Sequence, residues 1–315
     1  MRKKYVGIFC GGNSIESEYS LRSAARIKEI LQAQGHESVI IDIADTKNML
    51  AKVAAHKMDL AYLVMYGVPG QEGSVHGLLE LCGIKYTGSD LTACAIIKDK
   101  IFTKLTAKAL GLNTPRYAQI SKTEVSDIKT LKRKVSSIGG FPAVVKPVRC
   151  GGLSKGISIV KSIRELAPAV REAFRYDRRV MIEEHIAGDE ITVCVLERGG
   201  NLNILPYVGI KYGGDAGFST YKDKVAGKRI LEIPAKLEFP RVKRAVDDAC
   251  RTICKTLECK DYVYLDFIIR KTTPYLIEMG AVPGFLPSSN LPQAAANAGI
   301  PLSKIVSSVL RASRK

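Results

Sequence analysis

The chain has no tryptophan, aromatic residues fill only 7% of its 315 positions, and histidine occurs four times. A core without many rings has to rest on Val, Ile, Leu and Ala, the usual filling of an α/β sheet. Eight cysteines are present but no C-x-x-C pair, so neither a zinc ribbon nor a disulfide framework is indicated. Reduced thiols in a cytoplasmic protein are the expected state. Cys250 and Cys254 share a helix face with Cys259 just beyond; a fourth metal ligand is missing, and the three are read as core. No run of 18 apolar residues exists, and the basic start Met1-Arg2-Lys3-Lys4 precedes only a short apolar stretch. Neither a membrane span nor a signal peptide is expected. G-x-x-x-x-G-K-[ST] is absent, as is G-x-G-x-x-G after the first strand, which argues against P-loop and dinucleotide sites.

Acidic residues are also in short supply, 31 against 48 basic ones, for a net charge of +17. Such a balance raises nucleic acid or small anionic substrates as partners. The basic clusters, at 129–134, 175–179, 241–244 and 270–271, are scattered, have acids near several of them and lack interleaved aromatics. A solvated basic surface, with no nucleic-acid partner, is the expectation.

What is present alternates strand and helix. An apolar strand at 5–10 runs into a Gly11-Gly12-Asn13-Ser14 turn, followed by an amphipathic helix over 18–34 with Leu21, Ala24, Ile27, Ile30 and Leu31 on one face. Strands at 38–42 and 60–65 continue a parallel sheet. Helices are expected at 74–81 and, unbroken, at 91–110. Shorter strands follow at 117–120, 143–146, 156–160 and 180–184, with helices at 125–137 and 163–174. A long helix at 240–257 precedes a hairpin of 262–270 with 274–278. Three lobes result, 1–89, 90–179 and 180–315.

The hairpin carries the sharpest chemical signal. Side chains alternate along a strand, so Tyr262, Tyr264, Asp266 and Ile268 share one face, and Asp266 interrupts an apolar run. On the returning strand Leu276 and Glu278 are placed on one face, and antiparallel pairing brings Glu278 within roughly 5 Å of Asp266. Two such carboxylates either enclose a hard cation such as Mg²⁺ or simply face solvent. Lys146 ends the apolar run 143–145 and either snorkels to the surface or meets an anion. The glycine-rich stretch 149–156 beyond it offers backbone N–H groups to phosphate oxygens. Glu183 and Glu190 flank Ala187-Gly188; they are either adenine and ribose acceptors or exposed turn residues.

Several longer motifs occur in order along the chain: GGNSIESEYSL from Gly11, GQEGSVHGLLELCGIKYTGSD from Gly70, KDK from Lys98, FPAVVKP from Phe141, IEEHIAGDEITV from Ile182 and IEMGAVPG from Ile277. Together they resemble the D-alanine:D-alanine ligase family nearly end to end. The resemblance implies an ATP-grasp α/β fold whose first lobe is a Rossmann-like parallel sheet. It also implies a ligase that phosphorylates a carboxylate with ATP and forms an amide from the acyl phosphate, with Mg²⁺ or Mn²⁺ as cofactor. Lys100, Lys146 and Lys224 would touch ATP phosphates, Glu183 and Ile186 the adenine side, and Glu190 the ribose. Asp266 and Glu278 would hold the metal. Glu16 would receive the first substrate's ammonium group, with Ser154 and the Gly284 N–H as further catalytic groups and Tyr264 and Ser289 at the substrate end. Amino acids or small peptides would be the substrates, and a homodimer through the first lobe the assembly.

The departures from the family pattern cluster near the substrates. Tyr264 stands where an arginine is usual, Gly280 where an asparagine follows the metal glutamate, Val225 in place of a lid tyrosine in the segment 212–228, and Tyr66 in place of a histidine. The glycine loop carries one extra residue around 152–155. With the arginine gone, Arg149 or Lys155 is expected to supply the missing cation. D-alanine ligation, ligation of a different pair and a degenerate ATP-binding protein all remain open on the sequence.

Overall fold

The computed structural model describes residues 3–150, 154–212 and 229–312, which form three sheets. In the first lobe β1 (Tyr5–Cys10) lies between β2 (Glu37–Asp42) and β3 (Leu60–Leu63), all parallel, with α1 (Ser17–Ala33) and α2 (Met49–Ala54) as connections. This is the expected parallel sheet. Leu21, placed on the buried face of α1 by periodicity, is exposed; Ser20 takes the inward position. Its hydroxyl donates to the Val64 carbonyl at 2.7 Å and accepts from Gly11 N–H at 2.8 Å, so the Gly11 turn is tied to the sheet by a buried polar group that a hydrophobicity pattern does not register.

After α3 (Ser74–Leu81), the expected single helix over 91–110 is two, α4 (Leu91–Lys98) and α5 (Lys100–Ala109). Asp99 between them is extended (φ −92°, ψ 106°), and its carboxylate accepts from Ile101 N–H and Phe102 N–H, capping α5. An N-cap aspartate satisfies helix donors that have no carbonyl partner. The Arg179 guanidinium, just before the strand at 180–184, holds the same carboxylate.

The middle sheet is antiparallel, in the order β4 (Tyr117–Ile120), β7 (Val180–Glu184), β5 (Ala143–Pro147), β6 (Ser158–Val160). It is backed by α6 (Ile128–Ser137), which starts later than expected because Asp127 caps it, and α7 (Ile163–Ala173). β7 bonds to β4 and β5, so the strand at 180–184 belongs to the middle sheet. The third sheet runs β11 (Arg229–Glu232), β10 (Val208–Tyr212), β8 (Asp189–Arg198), β12 (Tyr262–Arg270), β13 (Thr273–Gly280), with β9 (Asn201–Ile204) paired to β8. The helix α8 (Pro240–Thr256) packs Val246, Cys250, Ile253 and Cys254 against Val263, Leu265 and Phe267, so the cysteines are core as read.

Two C-terminal helices, α9 (Asn290–Asn297) and α10 (Leu302–Ala312), return to the first lobe. Ile305, Val306, Val309 and Leu310 share one buried cluster with Val6, Ile8, Ile27 and Leu31. A further tie joins the first and third lobes at Asp261, whose carboxylate accepts from Gly88 N–H at 2.8 Å. Burial pushes the Asp261 carboxyl up to about 6. The folded chain therefore holds a proton there that the unfolded chain releases between about pH 4 and 6. That contribution is present at low pH and lost as pH rises through 6, up to about 3 kcal/mol. Relative to Asp261→Asn, the wild-type chain is expected to gain stability as pH falls from 7 towards 4; parallel melting curves showing no pH-dependent difference would refute it.

Candidate functional site

Three adjacent strands set the site by register. Thr192 on β8 pairs with Asp266 on β12, and Asp266 pairs with Glu278 on β13, so the three side chains form one row across the sheet. Thr192 Oγ1 donates to Asp266 Oδ1 at 2.6 Å. Leu276 and Glu278 do not share a face as simple alternation implied. The pairing slips between Asp266 and Phe267, so that Leu276 opposes Phe267 in the core while Glu278 opposes Asp266 at the cavity. A bulge places two residues against one and inverts the alternation beyond it.

The next row along the same strands is Cys194, Tyr264 and Gly280. A Cβ at Gly280 would lie 2.0 Å from Tyr264 Cε1 and 2.5 Å from its hydroxyl. The tyrosine ring thus occupies the space that a side chain at 280 needs, and the two departures from the family pattern are one steric unit. Burial, then the charges of Glu278, Asp266 and Glu16, push the Tyr264 phenol up, so it is a neutral hydrogen-bonding group rather than a cation.

These rows face a cavity of about 500 Å³ into which the sheet brings Glu190, Tyr264, Asp266 and Glu278, and which Glu16, Gly284 and Ser289 also line. Seven of the sequence-predicted residues therefore meet in one place. Ser289 also bonds the Tyr19 hydroxyl, and a Cβ at Gly284 would sit 2.6 Å from both of those hydroxyl oxygens, so only glycine fits there. Lys100 lines a small hollow beside the cavity with Lys98, Tyr264, Glu278 and Gly280. Its ammonium meets Glu278 at 2.9 Å, and although burial opposes the charge, Glu278 outweighs it and raises the pKa.

Other predicted residues lie off the cavity wall. Glu183 is buried at 2% exposure, with Lys146 at 2.6 Å on one oxygen and Lys104 at 2.7 Å on the other. Burial opposes its ionisation, but the charges of Lys104 and Lys146 prevail and hold the carboxyl below its usual range. Ile186 is buried, and Ser154 sits at positive φ (56°) beside the glycine loop. Arg149 points its guanidinium at Asp177 (3.8 Å), and neither it nor Lys155 lines the cavity. Lys224, Val225 and most of the segment 212–228 lie outside the described residues, as do residues 151–153.

Sequence reasoning passed over Lys98, Gln71, Lys104, Tyr19, Thr192 and Asn290. Lys104 carried a signal: it follows Lys100 by four, one helical turn. Thr192 follows Glu190 by two on a strand, which puts it on the same face. Among the described residues no group of three or more His, Cys, Asp or Glu could by itself hold a metal ion. Asp266 and Glu278 fit a cation that takes its remaining ligands from a bound phosphate group and water. No helix among them is long and apolar enough to cross a membrane.

Residues 106–311 match the family described as D-ala D-ala ligase C-terminus. The chain is 34% identical over 317 residues to the D-alanine–D-alanine ligase of Geotalea uraniireducens (strain Rf4), spanning 99% of this chain and 96% of the relative. The crystal structure of D-alanine–D-alanine ligase from Bacillus anthracis complexed with ATP superposes at a TM-score of 0.81 with 28% identity, over 98% of this chain and 97% of that one. D-alanyl-alanine synthetase A from Vibrio cholerae, at 23% identity, shares the fold with a TM-score of 0.86 over 100% of both chains.

Two measurements test the packing described above. Gly280→Ala should cost about 1 to 3 kcal/mol through overpacking, and far less in a Tyr264→Ala background; additive losses in urea unfolding would show that the ring and the glycine are independent. Glu183→Gln leaves two ammonium groups facing a neutral amide and should destabilise by about 3 to 5 kcal/mol; an unchanged melting temperature would contradict the buried triad.

Proposed function

The chain belongs to the D-alanine–D-alanine ligase family, and on that premise we propose that it joins two D-alanine molecules, or a closely similar pair of amino acids, at the cost of ATP. Its fold is the ATP-grasp fold of that family, and it is an ATP-dependent, ADP-forming ligase. The observation that carries the reading is the Thr192, Asp266, Glu278 row in the same cavity as Glu16 and Ser289.

In this reading Glu16 receives the ammonium group of the first amino acid, whose carboxylate oxygen attacks the γ-phosphorus of ATP. The new O–P bond forms as the bond to ADP breaks, giving an acyl phosphate. The free amine of the second amino acid then adds to the acyl carbon, the nitrogen gives up a proton to water, and phosphate leaves with the electron pair to give the amide. The Gly284 N–H serves the oxyanion of that addition, and Tyr264 and Ser289 bound the second amino acid. Lys100, Lys146 and Lys224 balance the phosphates; Glu183 serves ATP by fixing Lys146; Ile186 and Glu190 hold adenine and ribose; Ser154 joins them at the glycine loop. Asp266 and Glu278 would hold Mg²⁺ or Mn²⁺, which when bound supplies charge neutralisation for the phosphates. Most of the rate gain in such a site is positioning and electrostatics.

One observation favours a second acceptor. Tyr264 places a neutral ring where the family carries an arginine, so a second amino acid other than D-alanine, or a small peptide, fits the changed wall. ADP release measured over a panel of D- and L-amino acids separates the two by the pair that stimulates turnover. Silence across the panel with intact ATP binding would leave a protein that binds nucleotide without ligating. Asp266→Asn is expected to raise the Mg²⁺ concentration needed for half-maximal ADP release by at least about tenfold; an unmoved titration would remove Asp266 from the metal site.

A further inference from the structure

The roles assigned so far leave one ammonium group beside the cavity without a task. On a continuous helix two residues two positions apart point about 200° away from each other. The extended backbone at Asp99 breaks that geometry, and Lys98, the last residue of α4, lines the same hollow as Lys100, Tyr264, Glu278 and Gly280. Lys98 Nζ donates to Gln71 Oε1 at 2.7 Å. Gln71 is itself fixed: its Oε1 accepts from Gly67 N–H at 3.3 Å, its Nε2 donates to the Val282 carbonyl at 3.4 Å, and it lines both the hollow and the main cavity.

Among the described residues Lys98 forms no ion pair, whereas Lys100, Lys104 and Lys146 each do. An ammonium has three donor hydrogens, and a neutral amide takes one. A half-buried cation held by a neutral strut, with donors to spare, is suited to an anion brought by substrate. Its place says which anion. The charge of Glu16 acts on the Lys98 ammonium, and Lys100 and Glu278, paired at 2.9 Å, share its hollow, where the reading above puts phosphate oxygens. An amino acid whose ammonium sits at Glu16 carries its carboxylate one carbon further on, towards that second group.

We propose that Lys98, positioned by Gln71, contacts the carboxylate of the first amino acid and holds it against the γ-phosphoryl group of ATP. The inference rests on the ligase reading above. Two anions must meet for the O–P bond to form, and Lys98 offsets their repulsion without giving up its proton. The carboxylate oxygen supplies the electron pair, and ADP departs with the pair from the bond that breaks. Gln71 acts only through Lys98 and is a positioning residue. The site thereby obtains on the α4 side a cation that Tyr264 does not provide on the sheet.

The test uses the full chain and its Lys98→Met and Lys98→Arg variants. Calorimetry with ATP and Mg²⁺ reports nucleotide affinity, ADP release against amino-acid concentration gives kcat/KM, and positional isotope exchange in ¹⁸O-labelled ATP reports acyl phosphate formation. Lys98→Met should leave nucleotide affinity within about twofold while isotope exchange and kcat/KM for the first amino acid fall roughly 10- to 100-fold, the loss of one hydrogen bond to a charged group. Lys98→Arg should recover part of both. Exchange and kcat/KM near wild type in Lys98→Met would overturn the proposal. So would a parallel loss of nucleotide affinity, which marks a structural strut. If Lys98→Met does not fold, Lys98→Gln replaces it under the same criteria. A wild-type chain that binds ATP yet shows no exchange with any amino acid would sink the parent reading instead.

Discussion

Like charge crowded onto one patch of sheet is the constraint around which the molecule is arranged. Register alone sets Asp266 beside Glu278, and Glu190 and Glu16 face the same cavity. Carboxylates that close are tolerated only with compensating donors or cations. The structure meets the demand from several directions: Thr192 donates to Asp266, Lys100 pairs with Glu278, and a helix interrupted at Asp99 delivers two lysines to one hollow. Arg179 of the middle lobe secures Asp99 in turn. Local backbone shape and distant side chains thus serve one electrostatic problem.

The row of Cys194, Tyr264 and Gly280 shows how such a site changes. A large ring sits between a small residue and one with no side chain, and the volumes fit only in that combination. The buried Lys104, Glu183, Lys146 group, contributed by α5 and two strands of the middle sheet, does not line this cavity.

Much of this was legible in the sequence. Strand alternation placed Asp266 on the cavity face, apolar runs located the sheets, and helix periodicity put Cys250 and Cys254 in the core. What was not legible has physical reasons. The break at Asp99 lies in an otherwise helical pattern, because an aspartate reads as a tolerable interior residue until its carboxylate is seen capping the next helix. The bulge that turns Leu276 inward and Glu278 outward leaves no mark in composition. Glu183 read as a turn acid or an adenine acceptor, since its two lysine partners come from separate elements.

The return of α10 to the first sheet couples distant parts of the chain. Val6 and Ile8 share a buried cluster with Val306 and Leu310, and the Lys4 ammonium donates to the Leu310 carbonyl at 2.6 Å, so α10 is fastened to the first sheet. A change of volume at Val306 or Leu310 is therefore felt by the strand that opens the first sheet, although the two lie some 300 positions apart. First and third sheets are thereby coupled mechanically through a helix that belongs to neither.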